Sequence, residues 1–293
     1  MSAINTFVIP FIRSDFIGPM LDSLKEHAGH EYNVIAIDQT TDRKAQEENE
    51  SKVTLWIRPY RNLGFAKAMN LGVVISQTPY ITMANDDLEF FDPRWWQGIL
   101  DTFAMDERIV AVNPMSPKEG AWGYGLRSDN EDTWKPPKGY VYDGNGGIEP
   151  DTPYKIRDAK YYDWLVNEHP GWQKGTLCDG IAMWCTVFKR EGLQKIGLLD
   201  ERFYPGGGED YDMDCRAYSQ GLRMVGSTKS WIWHHWGRSK DAISGIDPKN
   251  TLFASRERWN ANEELWGKEF DIWGKDKQGI PLVRKSSIYI DDF

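Results

Sequence analysis

The chain has 293 residues, 40% of them hydrophobic and 13% aromatic, enough for one large or two small domains around a packed α/β core. Its formal charge of −9 opposes unassisted binding to nucleic acid or anionic lipid, which reward clustered Lys and Arg, and leaves room only for a local basic groove around Arg58, Arg61 and Lys67. No stretch approaches the roughly 18 apolar residues that span a bilayer, and the opening "MSAINTFVIPFIRSDF" carries only a short apolar run broken by Pro10 and Arg13, so a soluble cytoplasmic protein is expected. The three cysteines, Cys178, Cys185 and Cys215, are odd in number and lack paired metal or redox spacing; reduced thiols are expected.

In chain order, short apolar runs alternate with amphipathic segments, the pattern of a layered α/β sheet. Strands are predicted near Asn5 to Pro10, Asn33 to Ile37, Val53 to Ile57 and Tyr80 to Met83, and helices near Gly18 to His27, Gly64 to Ser76 and Arg94 to Met105. In such sheets ligands collect at the carboxyl ends of the strands. Those ends carry Pro10, Phe11, Ile12 and Arg13, then Asp38, then Arg58 to Asn62, then Asn85, Asp86 and Asp87. From Pro114 to about Thr176 the periodicity disappears, and Gly, Pro, Asp, Trp and Tyr dominate; the aromatics favour an ordered, contact-making insertion. Patterning returns in "GIAMWCTVFKREGLQKIG", a strand and a short helix, followed by "YPGGGEDYDMDCRAYSQG" and the apolar run "SWIWHHWG". The tail after Asp241 is polar, with "RERWNANEELW" its expected helix, and no internal repeat is present.

Four segments carry candidate chemistry, each with a plainer alternative. "ANDDLEF" offers adjacent carboxylates that suit a divalent cation, although Asn and Asp also favour turns and helix N-caps. "RNLGFAKAMNLG" opens on an Asn62-x-Gly64 turn and runs into a small-residue helix whose N-terminus favours phosphate; simple helix–sheet packing explains the same residues. Behind Gly206 to Gly208 stand four acids, Glu209, Asp210, Asp212 and Asp214. A helix dipole accounts for acids in the first turn, and Asp212 with Arg216 has the spacing of a surface pair, but neither explains three glycines. "WIWHHWGRS" presents two histidines on opposite faces, so one at most points into any given site.

Taken in order, "VIPFIR", "AIDQTTD", "NLGFAKAMN", "NDD", "GIAMWCTVFKREGLQKIGLLDERFY", "GEDYDMDCRAYSQGLRM" and "HHWGRS" resemble the inverting family 2 glycosyltransferases, especially the rhamnosyl, galactosyl and galactofuranosyl branch. The resemblance implies a GT-A fold: a Rossmann-like mixed central sheet flanked by helices, here with an aromatic-rich insertion and a helical C-terminal tail. It implies a single catalytic domain over 1–240, with a nucleotide-sugar half at 1–115, an insertion at 116–176, an acceptor half at 177–240 and an extension at 241–293. It further implies that Asp38 recognises the nucleobase in a pocket lined by Pro10, Phe11, Ile12 and Arg13, with Asn62 and Gly64 at the same site. Asp86 would contact the ribose beside Asn85, where many relatives have Asp, and Asp87 with His234 would bind Mn²⁺ or Mg²⁺. His234 fits the family's "H-x-x-G-x-S" spacing through Gly237 and Ser239. Asp210 would be the catalytic base, with Glu209 beside it.

The implied reaction is an in-line displacement: an acceptor hydroxyl loses its proton to a carboxylate as it attacks the anomeric carbon, and a nucleoside diphosphate departs stabilised by the cation. The expected donor is a nucleotide sugar, by default a UDP-sugar. The acceptor is open among a glycan, a lipid-linked sugar, a protein or a modified nucleobase, with nucleic acid less favoured by the charge. A glycoside hydrolase would use two carboxylates but leave Asp38 and the Asn-x-Gly helix unexplained, and a non-catalytic carbohydrate-binding protein would use the 14 tryptophans for stacking.

Overall fold

The computed structural model describes residues 2–116, 140–142, 148–150, 159–167, 177–179, 181–201, 203 and 205–235. Most of the predicted insertion, the expected helix in the tail, and the Gly237 and Ser239 of the histidine motif lie outside the described residues. In chain order the elements are β1 (Asn5–Phe11), α1 (Ile17–His27), β2 (Tyr32–Asp38), α2 (Lys44–Asn49), β3 (Leu55–Ile57), α3 (Phe65–Ile75), β4 (Tyr80–Ala84), β5 (Leu88–Glu89), α4 (Arg94–Phe103) and β6 (Ile109–Met115). There follow β7 (Tyr140–Tyr142), β8 (Ile148–Pro150), α5 (Ala159–Asn167), β9 (Leu177–Asp179), β10 (Cys185–Lys189), α6 (Arg190–Ile196), α7 (Glu209–Ser219), β11 (Arg223–Trp231) and β12 (Trp233–His234).

Eight strands form one mixed sheet in the order β3-β2-β1-β4-β10-β6-β11-β9. Strands β3, β2, β1 and β4 run parallel, β10 runs against both β4 and β6, and β11 is parallel to β6. The crossovers put helices on both faces, and the strands alternate accordingly. Phe7, Ile9 and Phe11 of β1 join α1, α4 and α5 in one apolar layer, while Val8 joins α3, α6 and α7 in the other. The plain packing account of "RNLGFAKAMNLG" holds for its second half, because a Cβ at Gly72 would lie 2.2 Å from Cγ1 of Val8.

The four predicted strands and three predicted helices are present, with two adjustments. The third strand begins only at Leu55, after a 3₁₀ turn at Glu50–Lys52, and the third helix ends at Phe103. Helix α5 comes from the insertion, and Arg94 at the start of α4 holds it: the guanidinium binds Asp92 and Asp163, donates to the Ala159 carbonyl and lies over the Tyr162 ring. That part of the insertion makes contacts as expected. Cys185 and Cys215 are buried free thiols, and no helix among the described residues is long and apolar enough to cross a membrane.

At the opposite edge of the sheet from the candidate site, His30 stacks on Trp96 at 3.8 Å between ring centroids. Its Nδ1–H donates to the Ala28 carbonyl, and its Nε2 accepts from the Asn5 amide, so the ring is neutral in this arrangement. Burial lowers its pKa from 6.5 to about 4. The unfolded chain therefore takes up a proton that the folded one refuses: the stabilisation is complete above pH 6.5 and is lost as pH falls from there toward 4. After discounting for partial exposure we expect about 2 kcal/mol between pH 7 and 4.5. Urea denaturation of wild type and His30→Gln at both pH values should show the wild type losing that much more than the variant, and equal losses would rule the effect out.

Candidate active site

Parallel register places Phe11 beside Asp38, and β4 ends at Ala84, so Pro10 to Arg13, Asp38 and Asn85 to Asp87 leave the sheet along one edge. Backbone and side-chain bonds tie this edge together. Gln39 N–H donates to the Phe11 carbonyl (2.9 Å), the Gln39 side chain accepts from Leu63 N–H (2.7 Å), and Asn62 Oδ1 accepts from Gly64 N–H (2.8 Å). The Asn-x-Gly turn thus sits against the ends of β1 and β2.

Asp38 is buried, and its carboxylate already receives four donors. Oδ1 accepts Thr40 N–H and the Thr40 hydroxyl, and Oδ2 accepts Trp56 Nε1–H and the Arg58 guanidinium. Those fill the acceptor capacity of a carboxylate. Arg58 goes on to the carbonyls of Thr40 and Asp42, which fixes the loop after β2. The expected basic groove is correspondingly reduced: Arg58 pairs with Asp38, Lys67 with Glu201 (3.2 Å), and Arg61 lies over the Tyr60 ring.

The two residues expected to bind the cation lie side by side. His234 lies on β12, which pairs antiparallel with β5, so its ring returns to the acidic turn after β4. Nε2 lies 3.0 Å from Asp87 Oδ1 and 3.4 Å from the Asn85 amide, and both His234 and Asp87 are buried. Burial works to raise the Asp87 pKa, but the hydrogen bond and charge of His234 outweigh it and the net shift is downward. Asp86 goes the other way, pushed up to about 7 by burial and by the neighbouring Asp87 charge, with Arg13 and His234 opposing. Two donor atoms each about 2.1 Å from a cation and at a right angle to one another lie about 3 Å apart, which is the Nε2 to Oδ1 separation. The proton now shared across that gap is what a cation would replace. Among the described residues no group of three His, Cys, Asp or Glu is placed to hold a metal; Asp87 and His234 would supply two ligands, and a cation bound there would need further ligands such as diphosphate oxygens. His235 faces away, 3.2 Å from Glu89, in keeping with the alternation expected of the two histidines.

The glycine run has a backbone explanation. Gly206, Gly207 and Gly208 have φ of +155°, +109° and +94°, a region that disfavours L side chains. This turn packs on the start of α3: the Pro205 carbonyl accepts Phe65 N–H at 2.7 Å, and a Cβ on Gly206 would lie 3.1 Å from Phe65 Cβ. The turn delivers Glu209 and Asp210 as the first residues of α7. Glu209 is buried and accepts Gly207 N–H. Asp210 is half-buried and accepts Tyr211 N–H (2.8 Å); burial raises its pKa while nearby backbone amides, Tyr211 first and Met183 among them, pull it down. The expectation of a surface pair for Asp212 and Arg216 is corrected. The pair forms at 3.0 Å, but both residues are buried, because their face of α7 packs toward the end of α6, where Arg216 also donates to the Ile196 carbonyl. Asp214, which the sequence left without a role, accepts Ile181 N–H at 2.9 Å.

Two contributors were not assigned from the sequence. Trp184, grouped there with the sugar-stacking tryptophans, stacks on His234 with centroids 4.9 Å apart and planes 19° apart. Asn70, the last residue of "NLGFAKAMN", clamps the backbone of Leu199 with both atoms of its amide (2.8 and 3.0 Å). Its place at the end of a quoted motif was the available signal; for Trp184 there was none, since contact with His234 depends on strand pairing.

A mixed sheet with helices on both faces and an acidic turn beyond β4 is the GT-A architecture. The chain superimposes on GalNAc-T7 with UDP, GalNAc and Mn²⁺ at a TM-score of 0.57 and 16% identity, covering 91% of this chain and 48% of that one. Against the mannosyltransferase PcManGT from Pyrobaculum calidifontis in complex with GDP-Man and Mn²⁺ the TM-score is 0.50 at 14% identity, over 89% and 75% of the two chains. The profile described as glycosyl transferase family 2 matches residues 6–168, over half of the chain, and this chain belongs to that family. It is similar to the O-antigen biosynthesis protein RfbC of Myxococcus xanthus, 23% identical over 261 residues, which are 83% of this chain but 18% of that protein. The chain therefore spans under a fifth of that curated relative's length.

Proposed function

We propose that the chain is a metal-dependent inverting glycosyltransferase that moves a sugar from a nucleoside-diphosphate sugar, UDP-linked by preference, to an acceptor hydroxyl by direct displacement. The observation that carries this reading is the convergence of two functions on one short segment. The Met183 backbone amide is close enough to the Asp210 carboxylate to help lower its pKa, and the next residue, Trp184, stacks on His234 beside Asp87. In this reading the base Asp210 and the cation-binding residues Asp87 and His234 lie at the same edge of the sheet as Asp38 and the Asn62–Gly64 turn.

Each residue then has a defined task. Pro10 to Arg13 and the loop after Asp38 border the nucleobase, and a base N–H reaches the Asp38 carboxylate by displacing one of its four present donors, of which the Thr40 hydroxyl is free to rotate. Asp86 stands beside the ribose and Asn85 beside the diphosphate. Mn²⁺ or Mg²⁺ held by Asp87 and His234 would supply positive charge against the departing diphosphate. Asp210 takes the acceptor proton: its raised pKa makes it a stronger base than an ordinary carboxylate, and the α7 N-terminus keeps it oriented. Glu209 fixes the glycine turn through Gly207 N–H. The reading is also supported by relatives whose structures contain UDP, GDP-Man and Mn²⁺.

Calorimetry with UDP, GDP and dTDP, each with and without Mn²⁺, tests the reading. At least one should bind at least tenfold more tightly with the metal, on the scale of a site built around a cation, and the anomeric proton of the product formed from the matching donor should show inverted configuration. No binding of any nucleotide under either condition would sink the proposal.

A further inference from the structure

Residues Ile181 to Trp184 form a short bridge across the site. On one side α7 holds it: Ile181 N–H donates to Asp214 at 2.9 Å. On the other side the Trp184 carbonyl accepts Asn85 N–H at 2.8 Å, which ties the bridge to the turn that carries Asp87. The Trp184 N–H donates to the Ala182 carbonyl at 3.0 Å, so the tryptophan backbone is fixed at both its polar groups. Its side chain is buried against the buried His234 ring, the two planes 19° from parallel and the centroids 4.9 Å apart, an offset-stacked geometry.

An imidazole that binds a cation needs its ring plane set as well as the direction of one nitrogen. The Asp87 contact sets the direction in which Nε2 points but leaves rotation about that line open. The indole face removes that freedom, and its backbone is bonded to the same turn that presents Asp87. We propose that Trp184 is a positioning residue for the metal site, holding the His234 ring in the plane in which Nε2 and Asp87 Oδ1 together face a divalent cation. This rests on the metal-dependent reading above.

The test uses the full chain and Mn²⁺ alone, titrated by electron paramagnetic resonance of the free ion, on wild type, His234→Ala, Trp184→Tyr and Trp184→Met. Tyr restores a flat face, whereas Met fills space without one. Trp184→Met should bind Mn²⁺ about tenfold more weakly, the scale of losing a partner that orients a ligand, and Trp184→Tyr should recover most of that loss. Equal affinity in wild type and Trp184→Met overturns the inference, and so does a wild type that binds Mn²⁺ no better than His234→Ala; the metal-dependent reading is judged separately, by nucleotide binding with and without Mn²⁺. A second readout needs no variant. The imidazole protons of His234 in the metal-free wild type should be shifted upfield by the indole ring current, and resonances at ordinary positions count against the stack.

Discussion

Asp210→Asn should lower kcat for transfer by about 10²–10⁴-fold, the contribution of a positioned general base, while nucleotide and Mn²⁺ affinities stay within about twofold of wild type. Asn is nearly isosteric and keeps one oxygen to accept the Tyr211 N–H, so the start of α7 should survive the change. What disappears is the group that receives the acceptor proton. The pH profile supplies an independent check. Asp210 must be ionised to act, and burial raises its pKa, so the acid limb of the wild-type kcat/KM profile should lie above the roughly 3.9 of an ordinary aspartate. The residual activity of the Asn variant should lack that limb. Transfer retained at the wild-type rate would remove Asp210 from the mechanism and return Glu209 to consideration, although its carboxylate is buried and engaged with Gly207 N–H.

The parts of this site that were legible in the sequence are those that depend on strand ends. A parallel strand delivers its last residues to a predictable edge, so Pro10 to Arg13, Asp38 and Asn85 to Asp87 could be grouped before any coordinates were known. His234 was legible in two steps: alternation along a strand lets only one of the two histidines face the site, the family-like "H-x-x-G-x-S" spacing selects His234, and the structure puts the two rings on Asp87 and Glu89 respectively. Contacts made by an antiparallel strand were not legible. Strand β10 enters the sheet from the opposite end, and only its pairing of Cys185 with Ala84 brings Trp184 next to the acidic turn. Burial of a charged pair was equally hidden, since the i,i+4 spacing of Asp212 and Arg216 is the same on a wet helix face as on a dry one. Saturation of Asp38 by Thr40, Trp56 and Arg58 belongs to this second kind, because Trp56 and Arg58 arrive from a neighbouring strand and the loop after it.

Arg216→Met should destabilise the fold by about 3–5 kcal/mol, far more than an exposed ion pair would contribute, because it leaves Asp212 as a buried carboxylate deprived of its guanidinium. The guanidinium also accounts for a bond to the Ile196 carbonyl and a close approach to Gly197, where it lies 3.1 Å from the position of an added Cβ. It is therefore a link between α6 and α7 rather than decoration on one helix. A buried pair replaced as a unit by apolar side chains is commonly neutral. Asp212→Leu combined with Arg216→Met should accordingly be less destabilising than Arg216→Met alone, recovering about 3 kcal/mol or more relative to the sum of the single changes. Urea denaturation of the four proteins gives the cycle directly. Strictly additive losses, or a cost below about 1 kcal/mol for Arg216→Met, would show that the pair behaves as a solvated one. Function should follow the same order. Asp210 sits two residues from Asp212 on the first turn of α7, so a frayed α7 loses the orientation of the base. Transfer activity measured at a temperature where all four proteins remain folded should be lower in Arg216→Met than in the double variant.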